Sequence, residues 1–203
     1  MKTNDLTQYN LVKKQLRAGD IIVFYGKSPL SRLIRLFADG PSHCAPVRQP
    51  VTDQGEDATV VQATIENGRN GVQTEPLGAT IAGYGPVDVA ALLLSDAERA
   101  KLDLFKFYQF IGECEDRVKY DVGGLFEFLL RGVPIIGERV AQEEKQNVMY
   151  CCAWATALLV KSGAISPTIN WSKTRPQDLV EMGIYKDWVV LAGKPKLARF
   201  NTL

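Results

Sequence analysis

The chain has 203 residues, of which 46% are hydrophobic, and a formal net charge of +1. This length fits a single domain over residues 1–203 with a sizeable core. The near-neutral charge provides no overall field to attract nucleic acid or an anionic membrane surface. The longest apolar stretches, 89–94 and 151–160, are too short to span a bilayer, and the N-terminus has no apolar signal core. We therefore expect a cytoplasmic protein with no nucleic-acid partner and no stable membrane insertion.

The first half of the chain predicts two helices and a strand, followed by a β region. An amphipathic helix over 4–16, within an N-terminal segment 1–18, precedes an apolar strand over 21–25. Ser28-Pro29 begins a second helix, because serine caps a helix and proline suits its first turn. Further strands are predicted over 44–49, 59–65, 72–76 and 87–94. Pro46 has no N–H to donate and would confine its strand to a sheet edge or a bulge.

The second half predicts mostly helices. A capping-box pattern at Ser95–Glu98 opens a helix that continues to Ile111. Later helices are predicted over 121–130, over 151–160 and from 175, and a closing strand over 188–191. The polar segment 131–148 reads as a loop or lid insertion. Short strands bracketed by helices indicate an α+β fold, with a small antiparallel sheet or barrel packed against helices.

One histidine occurs in the whole chain, at His43, and two adjacent cysteines, Cys151 and Cys152, open an apolar helical stretch. A thiolate at a helix N-terminus is stabilised by the helix dipole and by a nearby imidazolium, so the pattern favours a cysteine nucleophile with a histidine base. The alternative is that these side chains only fill the core. We expect the four cysteines to be free thiols. A single histidine and the absence of a Cys-x-x-Cys spacing predict no metal site and no cofactor.

The order of short motifs along the chain resembles that of the circularly permuted NlpC-type papain-like amidases. These belong to a superfamily of cell-wall peptidases, amidases and lecithin:retinol acyltransferase-like enzymes, and in the permuted branch the histidine precedes the cysteine. The motifs are Gly19-Asp20-Ile21-Ile22, Ser42-His43, Val60-Val61-Gln62-Ala63-Thr64, Gly71-Val72, Tyr120-Asp121, Tyr150-Cys151-Cys152 and Pro176-Gln177-Asp178-Leu179. The resemblance covers roughly residues 19–185 and implies a permuted papain-like domain.

Residue by residue, the resemblance implies His43 as the general base and Cys151 as the nucleophile. Cys152 is the alternative nucleophile, because a one-residue shift of the helix start would exchange the two roles. The residue that orients the imidazole is usually a glutamate in this family, and Gln62 stands in its place. A glutamine can fix the imidazole tautomer but cannot stabilise an imidazolium by charge.

Three residues are candidates for substrate contact: Tyr25, whose hydroxyl would serve an oxyanion hole, together with Cys152 and Trp154. For Tyr25 the alternative is a packed aromatic side chain. The expected function is a thiol hydrolase, an amidase or cysteine peptidase, that cleaves an amide bond in a peptide, a cell-wall stem peptide or an acylated amine. Two alternatives stay open: a catalytically degenerate ligand-binding or structural module, and a lipid acyltransferase of the same fold.

Overall fold

The computed structural model describes residues 4–38, 40–66, 69–115, 117–121 and 148–195. Its strands are β1 (Ile21–Gly26), β2 (His43–Gln49), β3 (Thr59–Glu66), β4 (Arg69–Pro76), β5 (Val87–Leu94), β6 (Lys119–Tyr120), β7 (Val148–Met149) and β8 (Tyr185–Ala192). Six of them form one antiparallel sheet in the order β4-β3-β2-β1-β5-β8. The sheet is open, with β4 and β8 at its edges. The α+β expectation is confirmed, and the described strands form no closed barrel.

Helices cover both faces of this sheet. They are α1 (Thr7–Val12), α2 (Pro29–Ala38), α3 (Leu77–Gly83), α4 (Asp96–Lys101), α5 (Leu104–Cys114), α6 (Cys151–Lys161) and α7 (Pro176–Val180), with short 3₁₀ turns at Lys13–Gln15 and Trp171–Lys173. Strands β6 and β7 pair in parallel as a separate two-stranded ribbon. Within the described part of the chain, no helix has the length and apolar character needed to cross a bilayer.

The core lies on both sides of the sheet. One cluster packs α5 and α6 against one face, and the other packs α1 and α3 against the opposite face. Strand β5 contributes to both, because its alternate residues point in opposite directions: Ala90, Leu92 and Leu94 belong to the first cluster and Val89, Ala91 and Leu93 to the second. Strand β5 is therefore buried on both faces.

Of the two positions predicted for the strand that contains Pro46, a sheet edge or a bulge, the edge is wrong, and an irregularity of the bulge type follows Pro46 directly. Strand β2 lies inside the sheet between β1 and β3, and Pro46 is paired with Ile21 of β1. The pairing of β2 with β3 begins only at Val47 and shifts register before Gln49. Pro46 therefore precedes the ladder in which its missing N–H would have been needed.

Three further details differ from the sequence-based expectations. The helix predicted from Ser95 to Ile111 is interrupted, because the Asp103 carboxylate accepts a hydrogen bond from the Lys106 N–H and caps a new helix, α5. Helix α3 was not predicted. The expected helix over 121–130 and loop over 131–148 lie outside the described residues, apart from Asp121 and from Val148, which begins β7 rather than ending a loop.

A close backbone contact joins β4 to the segment that leads into β6. Gly71 adopts φ +133°, and a Cβ atom at this position would lie 2.2 Å from the Val118 carbonyl oxygen. The Val72 N–H donates to the same oxygen at 3.2 Å. Glycine is required here because no other residue leaves room for that oxygen or readily adopts this φ. The contact holds Tyr120 beside the edge of the sheet.

Candidate active site

His43 is the first residue of β2, and a serine fixes the start of that strand. The Ser42 hydroxyl donates to the Phe24 carbonyl oxygen at 2.9 Å and accepts from the Gly26 N–H at 2.9 Å. The Ser42 N–H donates to the same Phe24 oxygen at 2.8 Å. These bonds tie the beginning of β2 to β1, so the backbone that carries the imidazole is held at the centre of the sheet.

Helix α6 carries the cysteine pair and is anchored to the sheet by its tryptophan. The Trp154 indole N–H donates to the Val61 carbonyl oxygen at 3.3 Å, and its ring stacks on Phe110 with centroids 5.4 Å apart. Val61 immediately precedes Gln62, so this bond sets the distance between the start of α6 and the strand that carries Gln62. Cys151 is the first residue of the helix.

The first turn of α6 receives no hydrogen bond from the side chain that precedes it. Tyr150 occupies the cap position without capping. Its hydroxyl instead donates to the carbonyl oxygens of Ser172 and Thr174, at 3.1 and 3.0 Å. The N–H groups at the start of a helix have no partner within it, and they carry the positive end of its dipole. The backbone of Cys151 and Cys152 therefore presents hydrogen-bond donors suited to an oxyanion.

A chain of side-chain hydrogen bonds holds the imidazole. His43 Nε2 lies 2.8 Å from Gln62 Oε1, and Gln62 Nε2 donates to Glu75 Oε2 at 3.2 Å. With Nε2 taken by Gln62, Nδ1 is the ring nitrogen that serves the hydrogen bond between His43 and Cys151. Position 62 has an amide where the family usually has a carboxylate. The Glu75 carboxylate lies behind that amide, one hydrogen bond further from the imidazole.

Three thiols meet where α6 touches β2. Cys44 Sγ donates to Cys152 Sγ at 3.2 Å, and the sulfur atoms of Cys151 and Cys152 are 3.8 Å apart. Cys44 and Cys152 are fully buried, whereas Cys151 is 4% exposed and His43 is 7% exposed. Between the two adjacent cysteines, Cys151 is thus the one with contact to solvent.

The environment shifts the pKa values of the three thiols in different directions. Hydrogen bonds from the Cys152 and Cys44 thiols, supported by the charge of His43 and a hydrogen bond from it, hold the pKa of Cys151 well below its ordinary value despite burial. Burial, together with interaction with Cys151, raises the pKa of Cys152 and that of Cys44. The cluster therefore favours a single thiolate, located on Cys151.

Aromatic side chains surround the imidazole and the thiols. The rings of Phe24 and Tyr84 lie 5.5 and 6.1 Å from the His43 ring, and they stack on each other at 4.9 Å. Burial, followed by the charge of Cys151 and its neighbours, raises the pKa of Tyr120 well above its ordinary value, so its phenol stays protonated near the thiols. These aromatic residues make the surroundings of the imidazole and the thiols largely apolar, which strengthens electrostatic interactions there.

The structure brings three of the predicted site residues together and separates others. His43, Cys151 and Gln62 form one hydrogen-bonded group. Trp154 is fully buried and packs in the core, away from this group. Cys152 is also fully buried, and its sulfur is turned toward Cys44.

The remaining substrate-contact candidate, Tyr25, is buried on β1 in the cluster that packs against α6. The Arg35 guanidinium lies over its ring, 5.3 Å from the centroid, and burial raises the pKa of its phenol to about 12. This environment fits the packed-aromatic alternative. Glu75, Tyr84 and Tyr120 were not predicted as site residues, although the position of Glu75 on the same face as Gln62 follows from the register of β3 and β4.

Comparison of the chain with protein-family models and with curated proteins gives no match. Among solved structures, the chain is similar to the crystal structure of metalloprotein YiiX, DUF1105, from Escherichia coli O157:H7. The two share 16% sequence identity with a TM-score of 0.47, over 87% of this chain and 89% of that one. A similarity of this size says nothing about the chemistry of His43 and Cys151.

Proposed function

We propose that the protein is a thiol hydrolase of the permuted papain-like type, which cleaves an amide bond in a peptide, a cell-wall stem peptide or an acylated amine. Cys151 is the nucleophile, His43 the general base and acid, and Gln62 the residue that orients the imidazole. The order of motifs in the sequence supports the family, and the hydrogen-bonded group described above supports the chemistry.

The observation that carries this proposal is that the His43 imidazole contacts both an orienting residue, Gln62, and the nucleophile, Cys151. Gln62 Oε1 holds Nε2 at 2.8 Å, while His43 hydrogen-bonds Cys151 and lowers the pKa of its thiol. A base that is both oriented by a third group and in contact with the nucleophile is the arrangement that nucleophilic catalysis requires. A histidine that only filled the core would not need both contacts.

The reaction follows from this geometry. The Cys151 thiolate attacks the carbonyl carbon of the amide, and the oxyanion is stabilised by N–H groups at the start of α6. The imidazolium of His43 gives its proton to the leaving nitrogen, so the amine departs and a thioester remains. Water then attacks the thioester and gives a proton to His43. The carboxylate product leaves, and the thiolate–imidazolium pair is restored.

Cys151 is a better candidate for the nucleophile than Cys152 on three grounds. It begins the helix, it retains contact with solvent, and its pKa is lowered where that of Cys152 is raised. Adjacent helical residues point about 100° apart, so only one of the two can face the imidazole.

Alkylation by iodoacetamide tests this proposal without knowledge of the substrate. We expect Cys151 to be labelled at mildly acidic pH much faster than a free thiol, with the site identified by peptide mapping. Substituting His43→Ala should slow the labelling by about a hundredfold or more, because base and nucleophile act as a unit. Cys114→Ser is the matched control, since Cys114 is a buried free thiol at the end of α5 that no part of the mechanism uses.

Turnover is then tested on a panel of peptide, cell-wall stem-peptide and N-acyl amine substrates, comparing the wild type with Cys151→Ser. Hydrolysis that disappears in the variant supports the proposal. Labelling of Cys151 that is uniformly slow, and unchanged in His43→Ala, would refute it and favour a binding module that does not turn over its ligand.

A second candidate, acyl transfer on a lipid by the same residues, is favoured by the exposed surface of α2. Leu30, Leu33 and Leu36 are 57%, 43% and 76% exposed, and Arg32 lies among them. An apolar stripe with basic residues beside it is typical of helices that lie on a membrane surface. Sedimentation with vesicles of anionic phospholipid distinguishes the two candidates, because the amide hydrolase needs no association with lipid.

A further inference from the structure

The junction of β2 and α6 brings together three thiols, whereas a catalytic cysteine–histidine pair requires only one. The sulfur atoms of Cys44, Cys151 and Cys152 all lie within 4.8 Å of one another. Only one of them attacks the carbonyl carbon in the proposed hydrolysis. Cys44 is held on an inner strand and Cys152 in the first turn of a buried helix, so both are fixed by the fold.

The spacing of these sulfur atoms matches that of thiolates around a single ion. A zinc ion bound to thiolates at about 2.3 Å keeps neighbouring sulfur atoms about 3.8 Å apart in a tetrahedral site. The observed separation between Cys151 and Cys152 is 3.8 Å, and that between Cys44 and Cys152 is 3.2 Å. An opening of about half an ångström, within the reach of a small side-chain rotation, brings the shorter pair to the metal-bound distance.

We propose that Cys44, Cys151 and Cys152 form a three-thiolate site for a soft cation of the Zn²⁺ or Cu⁺ class. Thiolate sulfur selects such ions over Mg²⁺ or Ca²⁺. The cation balances the negative charge that three thiolates would otherwise bring into a buried cluster, and the positive end of the α6 dipole assists it. Motif spacing gave no sign of this site, because Cys44 and Cys152 are 108 residues apart.

This site does not rest on the proposed hydrolase activity, since it needs only the three sulfur atoms. Its consequence for that activity is direct, however. An ion bound to the Cys151 sulfur engages one of its lone pairs and lowers its nucleophilicity, so we expect the loaded protein to react more slowly with electrophiles. Metal binding and attack on a carbonyl therefore compete for the same sulfur.

Titration of the full-length, reduced protein with Cd²⁺ tests the proposal, with thiolate-to-cadmium absorption and native mass spectrometry as readouts. We expect one Cd²⁺ per chain, displaceable by Zn²⁺. Mutation of a residue that only supports a metal ligand typically lowers the metal affinity ten- to hundredfold. Cys44→Ser and Cys152→Ser each remove a ligand itself, so each should weaken binding by about a hundredfold. Cys114→Ser should bind Cd²⁺ as the wild type does, because Cys114 lies outside the cluster.

Protection from alkylation provides a measurement that does not depend on whether the serine variants fold. In wild-type protein, stoichiometric Cd²⁺ should protect Cys44, Cys151 and Cys152 together when the protein is unfolded rapidly into alkylating agent, and should leave Cys114 unprotected. Absence of stoichiometric Cd²⁺ binding, or protection of Cys151 alone, would overturn the proposal. Slow alkylation of the metal-free protein combined with tight Cd²⁺ binding would instead refute the hydrolase and leave the metal site standing.

Discussion

The substitution Gln62→Glu tests whether this site works better with an amide beside the histidine or with a carboxylate in direct contact with it. The family resemblance makes glutamate the usual residue at this position, so sequence alone predicts a gain of activity from Gln62→Glu. The structure predicts the opposite, because the Gln62 amide is already engaged at both ends. Its oxygen meets His43 Nε2, and its nitrogen donates to the Glu75 carboxylate.

The size of the effect follows from the contact with Glu75. The substitution places a carboxylate oxygen where a donor now lies 3.2 Å from Glu75 Oε2. Two unit charges at that distance repel by about 5 kcal/mol at an effective dielectric constant of about 20. Side-chain rotation, solvent and proton uptake relieve most of this. We therefore expect the free energy of unfolding to fall by about 1–3 kcal/mol, and the alkylation of Cys151 to slow.

The matched experiment is the exchange of the two side chains. In the double variant Gln62→Glu/Glu75→Gln, the amide at position 75 donates to the new carboxylate at position 62, which now faces the imidazole. Urea unfolding should return to within about 1 kcal/mol of the wild type, and the double-mutant cycle should show a coupling energy of about 1–3 kcal/mol. Alkylation of Cys151 should recover at least to the wild-type rate.

Two results would refute this reasoning. One is a Gln62→Glu variant as stable as the wild type and alkylated at least as fast. The other is strict additivity of the two substitutions, since residues that share a hydrogen bond must couple. Either result would mean that Glu75 does not interact with Gln62 in solution.

Three further substitutions test how the fold positions the site. Gly71→Ala should cost about 1–3 kcal/mol in urea unfolding, because φ +133° strains an alanine and its Cβ would collide with the Val118 carbonyl oxygen; an unchanged midpoint would contradict this contact. Asp20→Asn should cost about 3–5 kcal/mol, since it leaves the partly buried Arg99 without its buried ion-pair partner; a loss below 1 kcal/mol would count against the pair. Trp154→Phe should cost about 1 kcal/mol by loss of one hydrogen bond, and slower alkylation of Cys151 would show α6 shifting.

Most of the order of elements could be predicted because strands and helix caps depend on local sequence, although α3 and β6 were not predicted. Strand β5 has the predicted bounds, since its unbroken apolar run is bordered by a serine cap. Ser28 caps α2 as expected, accepting from the Ser31 N–H at 3.1 Å. Asp20 fixes the turn before β1 by accepting from the Arg17 N–H at 2.7 Å. In each case a side chain acts on backbone a few residues away.

What sequence could not provide was the spatial arrangement of distant side chains. Pro46 is compatible with either an edge or a bulge, and only the register of β2 with β3 decides between the two. Trp154 was assigned to a cleft because a helix that is apolar on every side does not reveal which side faces solvent. Helix α6 is buried almost throughout its length, and its indole anchors the helix to the sheet.

The same limit explains the residues that were missed at the site. Glu75 meets Gln62 only through the pairing of β3 with β4, and Cys44 meets Cys152 only through the packing of α6 on β2. The prediction of no metal site counted spacings along the chain, whereas the three thiols come together only after folding. The sequence indicated the pair His43 and Cys151. The neighbouring groups that set the charge of this pair come together only in the fold.

The central claim is that the Cys152 and Cys44 thiols, together with His43, keep the Cys151 sulfur ionised well below the ordinary thiol pKa, and the ultraviolet absorbance of the thiolate measures this directly. A pH titration of wild-type protein minus that of Cys151→Ser should show one thiolate that persists far below the ordinary thiol value of 9.0, and is lost only as the pH falls through the lowered pKa. The same difference for His43→Ala should shift toward the ordinary value. A wild-type difference spectrum that shows no thiolate until the pH approaches 9 would contradict the claim.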